Sequence, residues 1–111
     1  MEITTQSFKR VDVVKPSGRV DSATAPRLAE ALNALTGAKR YRIVLDLSDV
    51  DFLSSAGLRA LIDTQKTCRR YNRGNLVLAA PNQGIRKTLD LAGFIVLFDI
   101  YDDHTEAIGS V

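Results

Sequence analysis

Leu45-Asp46-Leu47-Ser48-Asp49-Val50-Asp51-Phe52-Leu53-Ser54-Ser55-Ala56-Gly57-Leu58 is the stretch whose reading decides the fold. Just before it, within Tyr41 to Leu47, Ile43-Val44-Leu45 is an uninterrupted apolar run of the kind found in strands covered on both faces. On its far side Leu58, Leu61, Ile62, Cys68 and Tyr71 recur at helical spacing, with Lys66, Arg69 and Arg70 largely on the other side. The stretch therefore predicts a central parallel strand, a short loop, and two adjacent hydroxyls at the start of a helix that Gly74 stops. A strand-to-helix junction of this kind can hold one side chain rigidly while showing it to a partner.

Upstream, Ile3 to Phe8 and Val11 to Lys15 are short alternating pieces, broken by Lys9-Arg10 and closed by Pro16-Ser17-Gly18, and they read as edge strands. Arg19 to Thr24 reads as a polar link rich in capping side chains. Ala25, Leu28, Ala29, Leu32 and Leu35 then trace one face of a helix, with Pro26 in its first turn and Gly37 at its end. Downstream, Leu76 to Ala80 is a second buried strand closed by Pro81. Asn82 caps a third helix through Ile85, Leu89 and Leu91-Ala92, which Gly93 stops. Ile95 to Tyr101 reads as the final strand, and Asp103 with Glu106 three residues later opens a terminal helix. The order ββαβαβαβα predicts an α/β fold: a mixed, mostly parallel sheet of about five strands with right-handed crossovers and helices packed against it. No repeat, low-complexity tract or linker interrupts residues 1–111, which read as a single domain.

A chain of 111 residues with 45% hydrophobic and 25% charged residues suits one globular core. Its 15 basic and 13 acidic residues leave a net charge of +2 and a pI of about 8.9, too weak a bias for the concentrated basic face of a direct nucleic-acid binder. The single cysteine, Cys68, has no internal disulfide partner and lies on the apolar side of its helix, where it reads as a small buried hydrophobe. Met1 to Ser7 lacks the basic region and apolar core of a signal peptide, and no apolar run approaches the roughly 20 residues that span a bilayer. The expectation is a cytoplasmic protein without membrane insertion.

Little in the chain invites catalysis. His104 lies in an acidic segment and reads as an isolated surface histidine, because a general base needs a positioned partner. No Cys/His cluster has metal-ligand spacing, and the glycines mark turns and element ends rather than a phosphate-cradling loop. Asp46, Asp49 and Asp51 read as solvated turn acids: alternation points Asp46 away from the other two, against a shared cation. Arg69, Arg70 and Arg73 favour the dipole at a helix end and read as a solvated face. The expectation is therefore no enzyme, no cofactor and no metal. At Ser54 and Ser55 two readings stand side by side: a serine before an apolar helix caps it, and an exposed hydroxyl there is also modifiable. Ala56 and Gly57 add almost no bulk beside it. Glycine in a first turn is unfavourable by up to about 1 kcal/mol relative to alanine, which suits a site where a partner's backbone comes close.

At these residues the chain resembles a known family. Phe52-Leu53-Ser54-Ser55-Ala56-Gly57-Leu58, preceded by Asp46-Leu47-Ser48, is similar to the signature of STAS domains, and of bacterial anti-sigma-factor antagonists (anti-anti-sigma factors) in particular. Gly18-Arg19-Val20-Asp21, and Pro81-Asn82-Gln83-Gly84-Ile85-Arg86 through Leu91-Ala92-Gly93-Phe94, agree with it, so the resemblance spans nearly the whole chain. It implies a partner-switching module in transcription regulation. The unmodified form binds an anti-sigma factor that is also a serine kinase, the sigma factor is released, and phosphorylation of a serine at a helix start reverses this until a PP2C-like phosphatase restores it. The matching serine is Ser55, with Ser54 the second choice, and the implied partner-binding residues are Asp21, Ser54, Ser55, Ala56 and Gly57. Asp21 is equally placed to cap the first helix. Where many antagonists have aspartate before that serine and a hydroxyl residue after it, this chain has Ser54 and Ala56. The alternative within the family is a STAS scaffold or subunit of a stress-signalling or lipid-transport complex, with no phosphorylation.

Overall fold

The computed structural model describes residues 1–70, 74–91, 93 and 97–111. Among these, the elements run β1 (Ile3–Ser7), β2 (Asp12–Pro16), β3 (Gly18–Val20), α1 (Ala25–Gly37), β4 (Arg42–Asp46), β5 (Val50–Leu53), α2 (Ser55–Arg70), β6 (Asn75–Ala79), α3 (Gln83–Leu91), β7 (Ile100–Tyr101) and α4 (His104–Ser110). Five strands form one sheet in the order β1-β2-β4-β6-β7, with only the β1–β2 pair antiparallel. This is the expected mixed, mostly parallel α/β architecture.

Alternation along β4 sends Ile43 and Leu45 to one face and Val44 and Asp46 to the other. On the first face Val14, Ile43, Leu45, Leu76 and Leu78 pack with Leu28 and Leu32 of α1, Leu58, Leu61 and Cys68 of α2, and Ile85 and Leu89 of α3. On the second, Val11, Val13, Val44, Val77 and Ala79 are covered by Ala107 of α4 together with Tyr101, Ile108 and Val111. Cover on both faces is why the central strands read as unbroken apolar runs. No helix among the described residues is long and apolar enough to cross a membrane.

Several expectations are corrected. The link from Arg19 to Thr24 does not begin as a loop: Gly18–Val20 is a strand, and it pairs in parallel with Val50–Leu53, inside what read as the loop after the central strand. Gly37 is the last residue of α1, where the helix was expected to end, but the left-handed residue beyond it is Lys39, at φ 62°. Leu91, through which the third helix was expected to run, is the last residue of α3 and is 78% exposed, while Ile85 and Leu89 are buried. The final strand is only two residues long, and its expected start at Ile95, like the readings of Tyr71, Arg73, Ala92 and Phe94, lies outside the described residues.

A buried ion pair fixes the sheet's far end. Asp12 is 1% exposed, and its Oδ2 accepts from Arg40 Nε at 2.7 Å, while Arg40 also donates to the carbonyls of Phe8 at 2.7 Å and Lys9 at 3.3 Å. One side chain thereby ties the β1–β2 turn to the segment between α1 and β4.

Candidate functional site

The β3–β5 pair builds the junction. Gly18 aligns with Val50, Arg19 with Phe52 and Val20 with Leu53, with a register irregularity after Gly18. Gly18 adopts φ 90°, a backbone region open to glycine, and its N–H donates to Asp49 O at 2.9 Å. Val20 and Leu53 face the core, while Arg19 and Phe52 stay outside, the guanidinium 4.3 Å from the centre of the Phe52 ring. Phe52 is 40% exposed. A large aromatic held half-exposed under a cation is a common anchor at protein interfaces.

The two hydroxyls divide the roles that the sequence left open. Ser54 is half-buried: its N–H donates to Val20 O at 2.8 Å, its carbonyl accepts the first helical bond from Leu58 N–H at 2.9 Å, and its Oγ accepts from Gly57 N–H at 3.2 Å. It is the N-cap of α2. Ser55, the first residue of the helix, is exposed, and its hydroxyl has no hydrogen-bond partner among the described residues. The N–H groups of Ser55 and Ala56 are likewise unpartnered, as expected in a helix's first turn. Ala56 is half-buried at the rim of the core.

Gly57 corrects its expected role. It is buried rather than presented to a partner, and a Cβ there would lie 2.7 Å from both Leu53 Cδ1 and Val20 Cγ1. The close approach that demands glycine is between α2 and its own β3–β5 pair.

Asp21 follows β3 and is not the N-cap of α1: that position is Thr24, which makes no side-chain cap bond, and Asp21 instead holds the turn that leads into the helix. Its Oδ1 accepts the N–H groups of Ala23 and Thr24, both at 3.0 Å, and the Thr24 hydroxyl at 3.1 Å, while its carbonyl accepts Ala25 N–H at 2.8 Å. The Thr24 backbone bond first, then the Thr24 hydroxyl, hold its carboxyl below the usual carboxylate range despite a smaller opposing effect of desolvation; the nearby Arg19 guanidinium, 4.0 Å away, adds to the lowering. Since Ser54 N–H is bonded to Val20 O, the residue before Asp21, the turn held by Asp21 and the start of α2 stand side by side. The structure thus brings Asp21, Ser54, Ser55 and Ala56 to one end of the fold.

Other residues singled out earlier lie elsewhere. Cys68 is fully buried, and burial pushes its thiol up to about 11. Asp46 is not a solvated acid: it is 4% exposed, its Oδ1 accepts Ser48 N–H at 3.0 Å, and its Oδ2 lies 3.9 Å from Nδ1 of His104, which is therefore not isolated. Asp49 pairs with Lys15 at 3.4 Å, and Asp51 is exposed. Among the described residues no group of three His, Cys, Asp or Glu side chains could hold a metal. The Arg19–Phe52 pair was absent from the sequence reading, because only the β3–β5 pairing makes the two residues neighbours.

The architecture defines a class before any relative is considered: a mostly parallel sheet whose accessory strand pair presents a serine at a helix start. Residues 2–107 match the model of the STAS domain, and the chain belongs to that family. BtrV of Bordetella bronchiseptica, whose name places it among anti-sigma factor antagonists, is 31% identical over 107 residues, covering 96% of this chain and 91% of BtrV. The crystal structure of an anti-sigma factor antagonist from Mycobacterium paratuberculosis superposes with a TM-score of 0.90 at 29% identity, over 99% of this chain and 92% of that one. The fold alone recurs in the Bacillus cell-fate determinant SpoIIAA in its phosphorylated form, at a TM-score of 0.77 and 14% identity over 98% of each chain.

Proposed function

We propose that this chain is an anti-sigma factor antagonist that binds its anti-sigma factor through the junction of β3, β5 and α2, and that phosphorylation of Ser55 switches the binding off. The observation that carries the reading is the division of labour at the junction: Ser54 Oγ is taken up by the cap, and Ser55 Oγ is exposed and unpartnered. The partner surface comprises Asp21, Ser54, Ser55 and Ala56 with the Arg19–Phe52 plate. The anti-sigma factor acts as the kinase: Ser55 Oγ attacks the γ-phosphorus of ATP, an O–P bond forms, the bond to the β-phosphate oxygen breaks, ADP departs and the hydroxyl proton passes to a base of the kinase. A PP2C-like phosphatase hydrolyses the ester back to serine. The chain itself contributes no catalytic group.

A phosphoryl group brings about −1.5 to −2 charges and three acceptor oxygens. At a helix start the dipole and the free N–H groups of Ser55 and Ala56 favour that charge, so the fold accommodates it and the docking surface changes. The test uses each purified anti-sigma factor of the source organism. Ser55→Ala is expected to bind the cognate factor as the parent does but to ignore ATP, and Ser55→Asp to bind at least tenfold more weakly with its fold unchanged by NMR. Equal affinity of the parent, Ser55→Ala and Ser55→Asp would remove Ser55 from the interface and leave the reading of an unswitched STAS subunit.

A further inference from the structure

We propose that Arg59 is the built-in counter-ion of the modified serine: once Ser55 carries a phosphoryl group, the Arg59 guanidinium pairs with it across one turn of α2. The proposal rests on the reading of Ser55 as the modified residue and concerns what the chain itself does with the new charge. Ser55 and Arg59 are both exposed and lie four residues apart on one uninterrupted helix, Ser55–Arg70. Residues so spaced are neighbours on the helix surface, and the order with the acid N-terminal to the base is the favourable one.

Arg59 is uncommitted. Its side chain has no hydrogen-bond or ion-pair partner among the described residues. The other cation at this end, Arg19, is already held over the Phe52 ring and beside Asp21. Arg59 borders a groove of about 270 Å³ between α1 and α2, with Ser22, Pro26 and Ala56 at the junction end and Asp63 one turn further along. Asp63 is the competing acid at the same spacing, but in the reversed order and with a single charge, and no ion pair joins it to Arg59. A dianion at Ser55 has the better order, twice the charge and the longer reach. The ion pair pins the phosphoryl group over the groove and widens the altered surface from one side chain to a full turn of α2. A carboxylate introduced at Ser55 is shorter and singly charged, so it reproduces this only in part.

The experiment places phosphoserine at position 55 of the full chain during translation, without a kinase, and follows its second ionisation by phosphorus-31 NMR. Asp21, Asp51 and Asp63 are the nearby acids on the neighbouring elements, Arg19 and Arg59 the cations, and all but Arg59 are the same in every sample. The expected result is a midpoint about 0.3 pH unit lower in the parent than in Arg59→Ala, largely recovered in Arg59→Lys, with the difference closing in 1 M salt as screening shortens to about 3 Å. Coincident titrations of the parent and Arg59→Ala, or an Arg59→Lys curve that follows Arg59→Ala, would overturn the pairing. A merely structural role for Arg59 would instead lower the melting temperature of the unmodified chain and leave the midpoint in place. Failure of every kinase to modify Ser55 would refute the underlying reading of the site but not the pairing, and the two failures are read in separate tubes.

Discussion

Substituting Gly57 by alanine sets two effects of opposite sign against each other, and the geometry decides between them. In an exposed first turn the change would favour the helix by up to about 1 kcal/mol. At this position the new methyl meets Leu53 Cδ1 and Val20 Cγ1, each at 2.7 Å. Relief to ordinary van der Waals contact requires movement of roughly 0.7–1 Å. Leu53 Cδ1 is a side-chain end, but Val20 is β-branched, fully buried and stiff about its first torsion, so α2 must move instead. Overpacking of this kind costs about 1–3 kcal/mol, and the expected net effect is a destabilisation of about 1–2 kcal/mol. For a domain of this size that lowers the melting temperature by roughly 4–10 °C. Urea unfolding supplies the free energy, and two-dimensional NMR should show the largest shifts at Val20, Asp21, Leu53 and Ser55, because α2 tilts from its hinge on the strand pair. An alanine variant as stable as the parent, or more so, would refute the claim that close packing against β3 and β5 is what requires glycine.

Two further outcomes follow from named bonds. Ser54→Ala removes the side-chain cap of α2 and should destabilise the fold by about 0.5–1 kcal/mol, whereas Ser55→Ala should lie within a few tenths of the parent; chemical denaturation of both variants checks this, and a larger loss at Ser55 would reverse the assignment. Arg40→Ala leaves the 1%-exposed Asp12 carboxylate without its partner. Loss of one member of a buried pair costs about 3–5 kcal/mol, and because Arg40 itself is 34% exposed the expected figure is nearer 2–3 kcal/mol, read by denaturant midpoint, with Asp12→Asn in the Arg40→Ala background recovering part of the loss.

The central strands were legible as unbroken apolar runs, the first three helices from apolar residues at helical spacing, and the terminal helix from the Asp103–Glu106 capping spacing. What was missed shares a physical cause. Gly18–Val20 and Val50–Leu53 are three and four residues long; Arg19 and Asp51 interrupt their apolar side chains, and Phe52, outward beside Asp51, breaks the alternation. Neither is recognisable until the other lies beside it, so the pair exists only as a long-range contact. The Asp12–Arg40 pair is of the same kind: its two members lie 28 residues apart, so nothing local to either signals the other. Asp46 looked solvated for a like reason, since nothing local shows that α4 covers that face. At the site, the serines were found from their position before a helix, and the resemblance already set Ser54 as the cap and Ser55 as the exposed hydroxyl; the Ser54 Oγ bond from Gly57 N–H and the Ser54 N–H bond to Val20 O supply the physical reason for the cap, turning Ser54 inward and Ser55 outward.

That inward and outward division bears on how a small domain can be switched without being unfolded. A phosphoryl group on Ser54 would replace the acceptor that holds Gly57 N–H and would have to fit in a half-buried position against β3, where the backbone is already bonded. Bulk there would drive α2 off the strand pair, and the cost would fall on the same contact that excludes a methyl from Gly57. On Ser55 the same group points to solvent at a helix terminus whose dipole and free N–H groups favour it. The tight packing beneath would then act as an anvil: because Gly57, Val20 and Leu53 leave the helix start no room to yield inward, the charge and volume of a phosphoryl group on Ser55 would appear at the surface, where the proposed partner would meet them, rather than being absorbed by movement of α2.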